Sequence, residues 1–241
     1  NDMSTSVTLH EELLQNSKEN TNKVEILNAI SWQIKEYSPD ESLKYAREAL
    51  KLSEKLNYQY GMAYAYHNLG KLFQLSFNYD TALFLYKKAL PIFQKTGFSP
   101  GIISIDTYMG MMYVQKKMPD TALYYYKNAL RLAKKESEIS SILIHIGVVY
   151  SRLGKNISDS AIKCFSLSLK LAEKIGDIEN ASAAAANLSI AYNYLYQFRK
   201  ALSILKSVLP SKTKIFSLKS FAYFEISSMN LFNSSFDIFE M

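Results

Sequence analysis

The sequence predicts an all-α solenoid of antiparallel helix pairs, in about five to six repeats, and three observations lead there. First, five segments align: Asp40–Leu50, Asp80–Leu90, Asp120–Leu130, Asp159–Leu169 and Arg199–Leu209, spaced 40, 40, 39 and 40 residues apart. Second, apolar residues recur inside each at helical spacing, as in Ala82, Leu83, Tyr86, Ala89, Leu90 and Phe93. Third, the 241 residues hold only 8 Gly and 5 Pro, too few for a turn-rich all-β fold, while 48% hydrophobic and 21% charged residues suit a packed core rather than disorder.

The chain divides in expectation into three stretches of one continuous domain: 1–37, 38–210 and 211–241. In the first, 8–18 is expected to be a capping helix, and 24–37 a degenerate first A helix containing Ser31, Trp32 and Ile34. The aligned segments are B helices. Four of the five begin with Asp, which is expected at the N-cap, where its carboxylate accepts an unpaired amide. Pro39 and Pro119 stand just before two of these, where they are expected to stop the preceding helix.

Between the B helices lie A helices with an interior Gly or Ser: Gly70, Gly110, Gly147 and Ser189. An interior Gly costs about 1 kcal/mol against Ala, so its recurrence predicts a close helix approach. Ala82, Ala122, Ala161 and Ala201 are the matching small residues on the B helices. The third pair departs from the spacing through Gly154–Ser158, as an insertion in a turn would. Pro91 predicts a kink and Pro210 a helix end. The last stretch carries Phe216, Phe221, Phe224, Phe232, Phe236 and Phe239, read as a final A helix over 217–233 with a poor partner. Terminal repeats normally become polar to cap a stack. This one does not, so it is expected to lie on another subunit as a homodimer contact, or to precede more chain beyond Met241.

The formal net charge is +6. The bases recur on similar helix faces, as Lys44, Arg47 and Lys51, Lys87 and Lys88, and Lys127, Arg131 and Lys134 do, which marks a solvated face rather than a nucleic-acid interface. The longest uncharged stretch, Asn180–Phe198, holds Asn180, Asn187, Asn193 and Gln197 and is no membrane span.

Catalytic signatures are missing from the sequence: it has no phosphate-binding loop, dinucleotide fingerprint, zinc-protease motif or nucleophile elbow. The single Cys164 excludes an intrachain disulfide, and His10, His67 and His145 are too far apart for one metal. No enzyme, metal or cofactor is expected. Tyr126 fits a packing position, with Tyr124 and Tyr125 at repeat contacts or the surface.

Gly or Ser at one place, an aromatic three later, a small residue twelve later and an aromatic four beyond is the tetratricopeptide pattern. Gly70, Phe73, Ala82, Tyr86 and Gly110, Tyr113, Ala122, Tyr126 carry it. Over roughly 24–209 the chain resembles this family, with a period near 40 against the usual ~34, so helices about a turn longer. It resembles the repeats of bacterial peptide-responsive regulators, kinesin light chains, and the input domains of bacterial sensor kinases and transcription regulators.

The resemblance implies a right-handed superhelix whose A helices line a concave groove, and a peptide or protein segment as the ligand. The implied lining includes Tyr64, His67, Asn68, Lys71 and Gln74 around Gly70, and Thr107, Tyr108, Met111 and Gln115 around Gly110. It continues with His145, Val148 and Arg152 around Gly147, and Asn187 and Asn193 around Ser189. Asn68 and Asn187 match a place where peptide-binding relatives carry an Asn for the ligand backbone, whereas Tyr108 and His145 depart from it. The carboxylate clamp of chaperone cofactors needs Lys and Asn at places that here read Asn28/Trp32, His67/Lys71 and Thr107/Met111, so that ligand class is rejected. Two functions remain: a non-catalytic, peptide-binding sensory or interaction module of a bacterial signalling protein, or an oligomerisation scaffold working through its Phe-rich end.

Overall fold

The computed structural model describes residues 14, 18–153 and 159–208. The expected final helix over 217–233, Pro210 and the Gly154–Ser158 turn lie outside the described residues, as does nearly all of the expected capping helix over 8–18.

Among the described residues there are ten α-helices. They are α1 (Thr21–Ile34), α2 (Pro39–Lys55), α3 (Gln59–Leu75), α4 (Tyr79–Thr96), α5 (Ser99–Gln115), α6 (Pro119–Leu132), α7 (Glu136–Leu153), α8 (Asp159–Ile175), α9 (Ile178–Tyr194) and α10 (Phe198–Val208). The described residues fall into two compact units, one up to His145 and one from Ile146 onward.

In the first unit successive helices pack on one another from α1 to α6, A helix against B helix, and α1 also packs on α3. The central core joins Ala63 of α3, Ala82, Tyr86 and Phe93 of α4, and Ile105, Met109 and Met112 of α5. In the second unit α9 packs on both α8 and α10.

The recurrent glycines have a steric cause, and it is an aromatic ring. A Cβ on Gly70 would lie 2.6 Å from the Tyr86 ring, one on Gly110 2.6 Å from Tyr126, and one on Gly147 2.5 Å from Phe165. The three rings are buried. Where Ser takes this place a hydrogen bond closes the contact: Ser189 Oγ donates to the Ala201 carbonyl at 3.2 Å, and the Ser31 carbonyl accepts from Ser42 Oγ of the facing helix at 2.7 Å.

The Asp residues do not cap. Ser38, Asn78 and Met118 hold the N-cap positions of α2, α4 and α6, so Asp40, Asp80 and Asp120 fall at the second helical residue. There a carboxylate still favours the positive helix end without accepting the cap bond. Pro39 and Pro119 likewise begin α2 and α6 rather than merely ending the helix before, since the first helical amide needs no partner. The α4 helix runs through Pro91, whose ring faces solvent.

Six of the described turns share one device: a single left-handed residue whose amide, with the next, bonds back into the helix just ended. Gly97 and Gly176 supply it twice, but Asn57, Phe77, Lys117 and Tyr196 also take φ of 50 to 59°. At Phe77 its own amide bonds the Gln74 carbonyl and the Asn78 amide bonds that of Phe73.

Lys44, Arg47, Lys51, Lys87, Lys88, Lys127, Arg131 and Lys134 are all exposed, as their spacing predicts. Tyr124 is exposed, Tyr125 stacks on Tyr113 at 5.4 Å, and Tyr126 is buried. Cys164 is half-buried, and burial pushes its thiol up from its ordinary value.

Candidate functional site

The first unit holds a cavity of about 510 Å³ between α1 and α3. Its lining comes from Glu25, Asn28, Ala29 and Trp32 on α1, and from Tyr60, Gly61, Tyr64, His67 and Asn68 on α3. The helical period places each set: 25, 28, 29 and 32 share one face of α1, and 60, 61, 64, 67 and 68 one face of α3.

The floor is an amide ladder. Asn28 Nδ2 donates to the Gly61 carbonyl at 3.2 Å, and Asn68 Nδ2 donates to the Asn28 carbonyl at 2.8 Å. Both asparagines are buried, and these bonds satisfy their side-chain amides, each by a second bond to a carbonyl of the facing helix. Gly61 permits the approach: its Cβ would meet Val24, Tyr58 and Ser53 at 2.5 to 2.7 Å.

One wall is aromatic. Tyr60 and Tyr64 meet edge to face at 4.9 Å, and both rings back onto Phe93 and Phe98. Tyr60 donates from its hydroxyl to that of Tyr64 at 3.3 Å. Burial, more than this bond, holds the Tyr64 hydroxyl well above the usual phenol range. At the mouth the Tyr58 hydroxyl donates to Glu25 Oε1 at 2.8 Å. Burial, then this bond to Glu25, pushes Tyr58 up to about 12.

His67 forms the opposite side. Its ring lies 5.1 Å from that of Trp32 and 5.9 Å from that of Tyr108, and Nε2 sits 2.9 Å from Ser104 Oγ. Burial brings His67 down to about 4, opposed by its hydrogen bond with Asn68 and helped by the Lys71 and Lys35 charges. The imidazole is therefore neutral at pH 7. Lys35 Nζ lies 3.9 Å above the Trp32 ring and donates to the Trp32 carbonyl at 2.9 Å, while Lys71 Nζ lies 4.6 Å from the Tyr108 ring. Burial, followed by Lys35, lowers the Lys71 pKa.

Of the fourteen residues that the resemblance implies, Tyr64, His67 and Asn68 line this cavity, with Lys71 and Tyr108 beyond His67. Thr107 turns its hydroxyl back to the Ile103 carbonyl at 2.8 Å. Met111 packs against the central core and Gln115 is exposed. His145 stacks on Tyr126 at 5.5 Å, and burial lowers its pKa. In the second unit Val148 is half-buried and Arg152 exposed. There Asn187 Nδ2 donates to the Ala183 carbonyl at 2.9 Å, and Asn193 Oδ1 is buried with no donor among the described residues. Gln74 is buried and accepts from the Tyr86 hydroxyl at 3.1 Å, so it holds a core ring.

Sequence reasoning left out Glu25, Ala29, Tyr60 and Gly61, and placed Asn28 and Trp32 only as clamp positions. The available signal was the period itself, since Asn28 stands 40 residues before Asn68.

Residues 38–95 match the family model described as Tetratricopeptide repeat, and they span α2, α3 and all but the last residue of α4. Over those residues the chain carries tetratricopeptide repeats. No curated protein matches it. Among solved structures it is similar to BtubC from P. vanneervenii, at 20% identity and a TM-score of 0.70, covering 90% of each chain. It is also similar to a signal transduction ATPase with a tetratricopeptide repeat sensor from Pyrococcus horikoshii, at 20% identity and a TM-score of 0.71, covering 85% of this chain and 32% of that one. A third is the Rap conjugation gene regulator of plasmid pLS20 in complex with the Phr* peptide, at 18% identity and a TM-score of 0.65, covering 93% and 64%. At these identities the likeness is one of fold.

Among the described residues no group of three metal-ligating side chains converges, and no helix is long and apolar enough to cross a membrane.

Proposed function

We propose that this tetratricopeptide scaffold is a non-catalytic binding module that takes a peptide or protein segment along the faces of α1, α3 and α5, within a bacterial signalling or regulatory protein. The cavity between α1 and α3 carries the reading. It is a concave space with aromatic walls and a few placed polar groups, which is how an extended segment gains both pockets and orienting bonds. Further support comes from the half-buried Lys71, Tyr108 and Met111, which continue the same side of α3 and α5. The Rap regulator of similar fold was solved with a peptide, which makes a peptide ligand compatible with this architecture.

The test compares two variants as bait in lysate from the source cell. Lys71→Ala/Met111→Ala/Gln115→Ala alters the A-helix face, and Phe84→Ala/Tyr124→Ala alters exposed rings on α4 and α6. A partner held by wild type and by the second variant, but lost by the first, is the expected result. Loss by the second variant alone moves the site to the B helices and ends the groove reading.

A further inference from the structure

We propose that the cavity between α1 and α3 takes an arginine side chain of the bound segment, with Glu25 as its counter-charge and Tyr60 and Tyr64 as its walls. This rests on the groove reading above and specifies its ligand.

Charge complementarity chooses the occupant. Among the described residues Glu25 carries the only charge in the lining. Tyr58 bonds Oε1 and orients the carboxylate at the mouth, while Oε2 has no partner among the described residues. His67 is neutral at pH 7 and already engaged by Ser104, so it offers an anion no charge. The two nearby ammonium groups are held elsewhere. Lys35 lies over Trp32 and near Glu36 at 3.9 Å, and Lys71 lies over Tyr108. Neither lines the cavity.

The walls favour a planar cation. A guanidinium stacks on aromatic faces and presents several donors in one plane, whereas an ammonium is compact and strongly hydrated. Here the donors meet the carboxylate and the Tyr64 hydroxyl, which already accepts from Tyr60 and has a second lone pair. A carboxylate would face Glu25 with a like charge, and an apolar side chain would leave its Oε2 without a bond from the ligand.

The chain contains one tryptophan, Trp32, and it lines the cavity, so its fluorescence reports on this site. Five peptides, acetyl-Ala-Ala-Xaa-Ala-Ala-amide with Xaa arginine, lysine, citrulline, leucine or glutamate, would be titrated into the full chain, with calorimetry as a second readout. Arginine should bind at least tenfold tighter than citrulline, which has the same shape without the charge, and tighter than lysine. Glu25→Gln should erase the tenfold preference, and Glu25→Lys should shift it toward glutamate. Circular dichroism checks that both variants fold, and two different substitutions guard against one that does not. Equal binding of arginine, citrulline and leucine would overturn the arginine assignment and leave the groove reading standing. An arginine preference unchanged in Glu25→Gln would overturn it as well. No binding by any peptide would overturn both.

Discussion

Asn68 shows how the fold can claim a residue that a resemblance assigns to a ligand, since the resemblance to peptide-binding repeats implies an Asn for a ligand backbone at its place. In this chain its amide nitrogen is bound to the Asn28 carbonyl, and Asn28 in turn holds the Gly61 carbonyl. The two side chains therefore fix the spacing of α1 and α3, which is the width of the cavity. Asn68→Ala should cost about 1 kcal/mol in urea unfolding, because it removes a buried hydrogen bond between the two helices. Asn28→Ala should cost a similar amount. The double variant should lose less than the sum, since the two residues share one ladder. Fully additive losses would show that each acts alone. The same logic separates Gln74 and Thr107 from the ligand face, because both spend their polar groups on neighbours within the fold.

At the scale of elements, six of the described helices end by a common turn in which one residue is left-handed. Glycine takes that conformation freely, whereas a bulky residue pays in steric strain. Phe77 adopts φ 59° while its ring is 78% exposed, and its described ring neighbour is Tyr79 at 6.3 Å. Little burial repays the conformation. Phe77→Gly is thus expected to stabilise the chain by about 1 kcal/mol, read as a higher unfolding midpoint with an unchanged denaturant slope. A drop in stability would mean that the ring gains more from its surroundings than its exposure implies. The helix starts follow a related economy: proline at the first helical position and Asp at the second suit a site with no amide to satisfy and a positive dipole to meet.

Across the molecule, stability should vary with pH through two opposed buried groups in the first unit. Burial lowers His67 from 6.5 to about 4, so between those values the unfolded chain holds more protons and stability rises with pH. His145 is lowered too and acts with the same sign. Burial raises Asp106 from 3.8 to about 6 against the pull of Arg131, so across that window the folded chain holds more protons and stability falls as pH rises. The trends oppose each other between pH 4 and 6. Asp106→Asn should remove the falling component and leave a steeper rise in stability over that range, followed by denaturant titrations at several pH values. An unchanged slope would place the Asp106 carboxyl in a more solvated setting than its 3% exposure implies.

The sequence by itself determined the helical class, the A and B pairing, and the residues of the repeat core, because each depends on a period that survives in one dimension. Gly70 with Tyr86 and Gly110 with Tyr126 are separated by a fixed sixteen residues, so a contact repeated along the chain is readable as a repeated spacing. The exposed lysine faces were readable for the same reason. The tertiary structure alone decided the rest. Whether a side chain on the inner face is available depends on what stands across from it, and spacing carries no record of that. Asn68 and Gln74 were turned inward by Asn28 and Tyr86, while Glu25, Tyr60 and Gly61 entered the site because α1 packs on α3. The caps moved by two residues because Pro39 and Pro119 suit the first helical position, where no amide is needed. A repeat fixes which helices form; the packing between them fixes which of their atoms remain for a ligand.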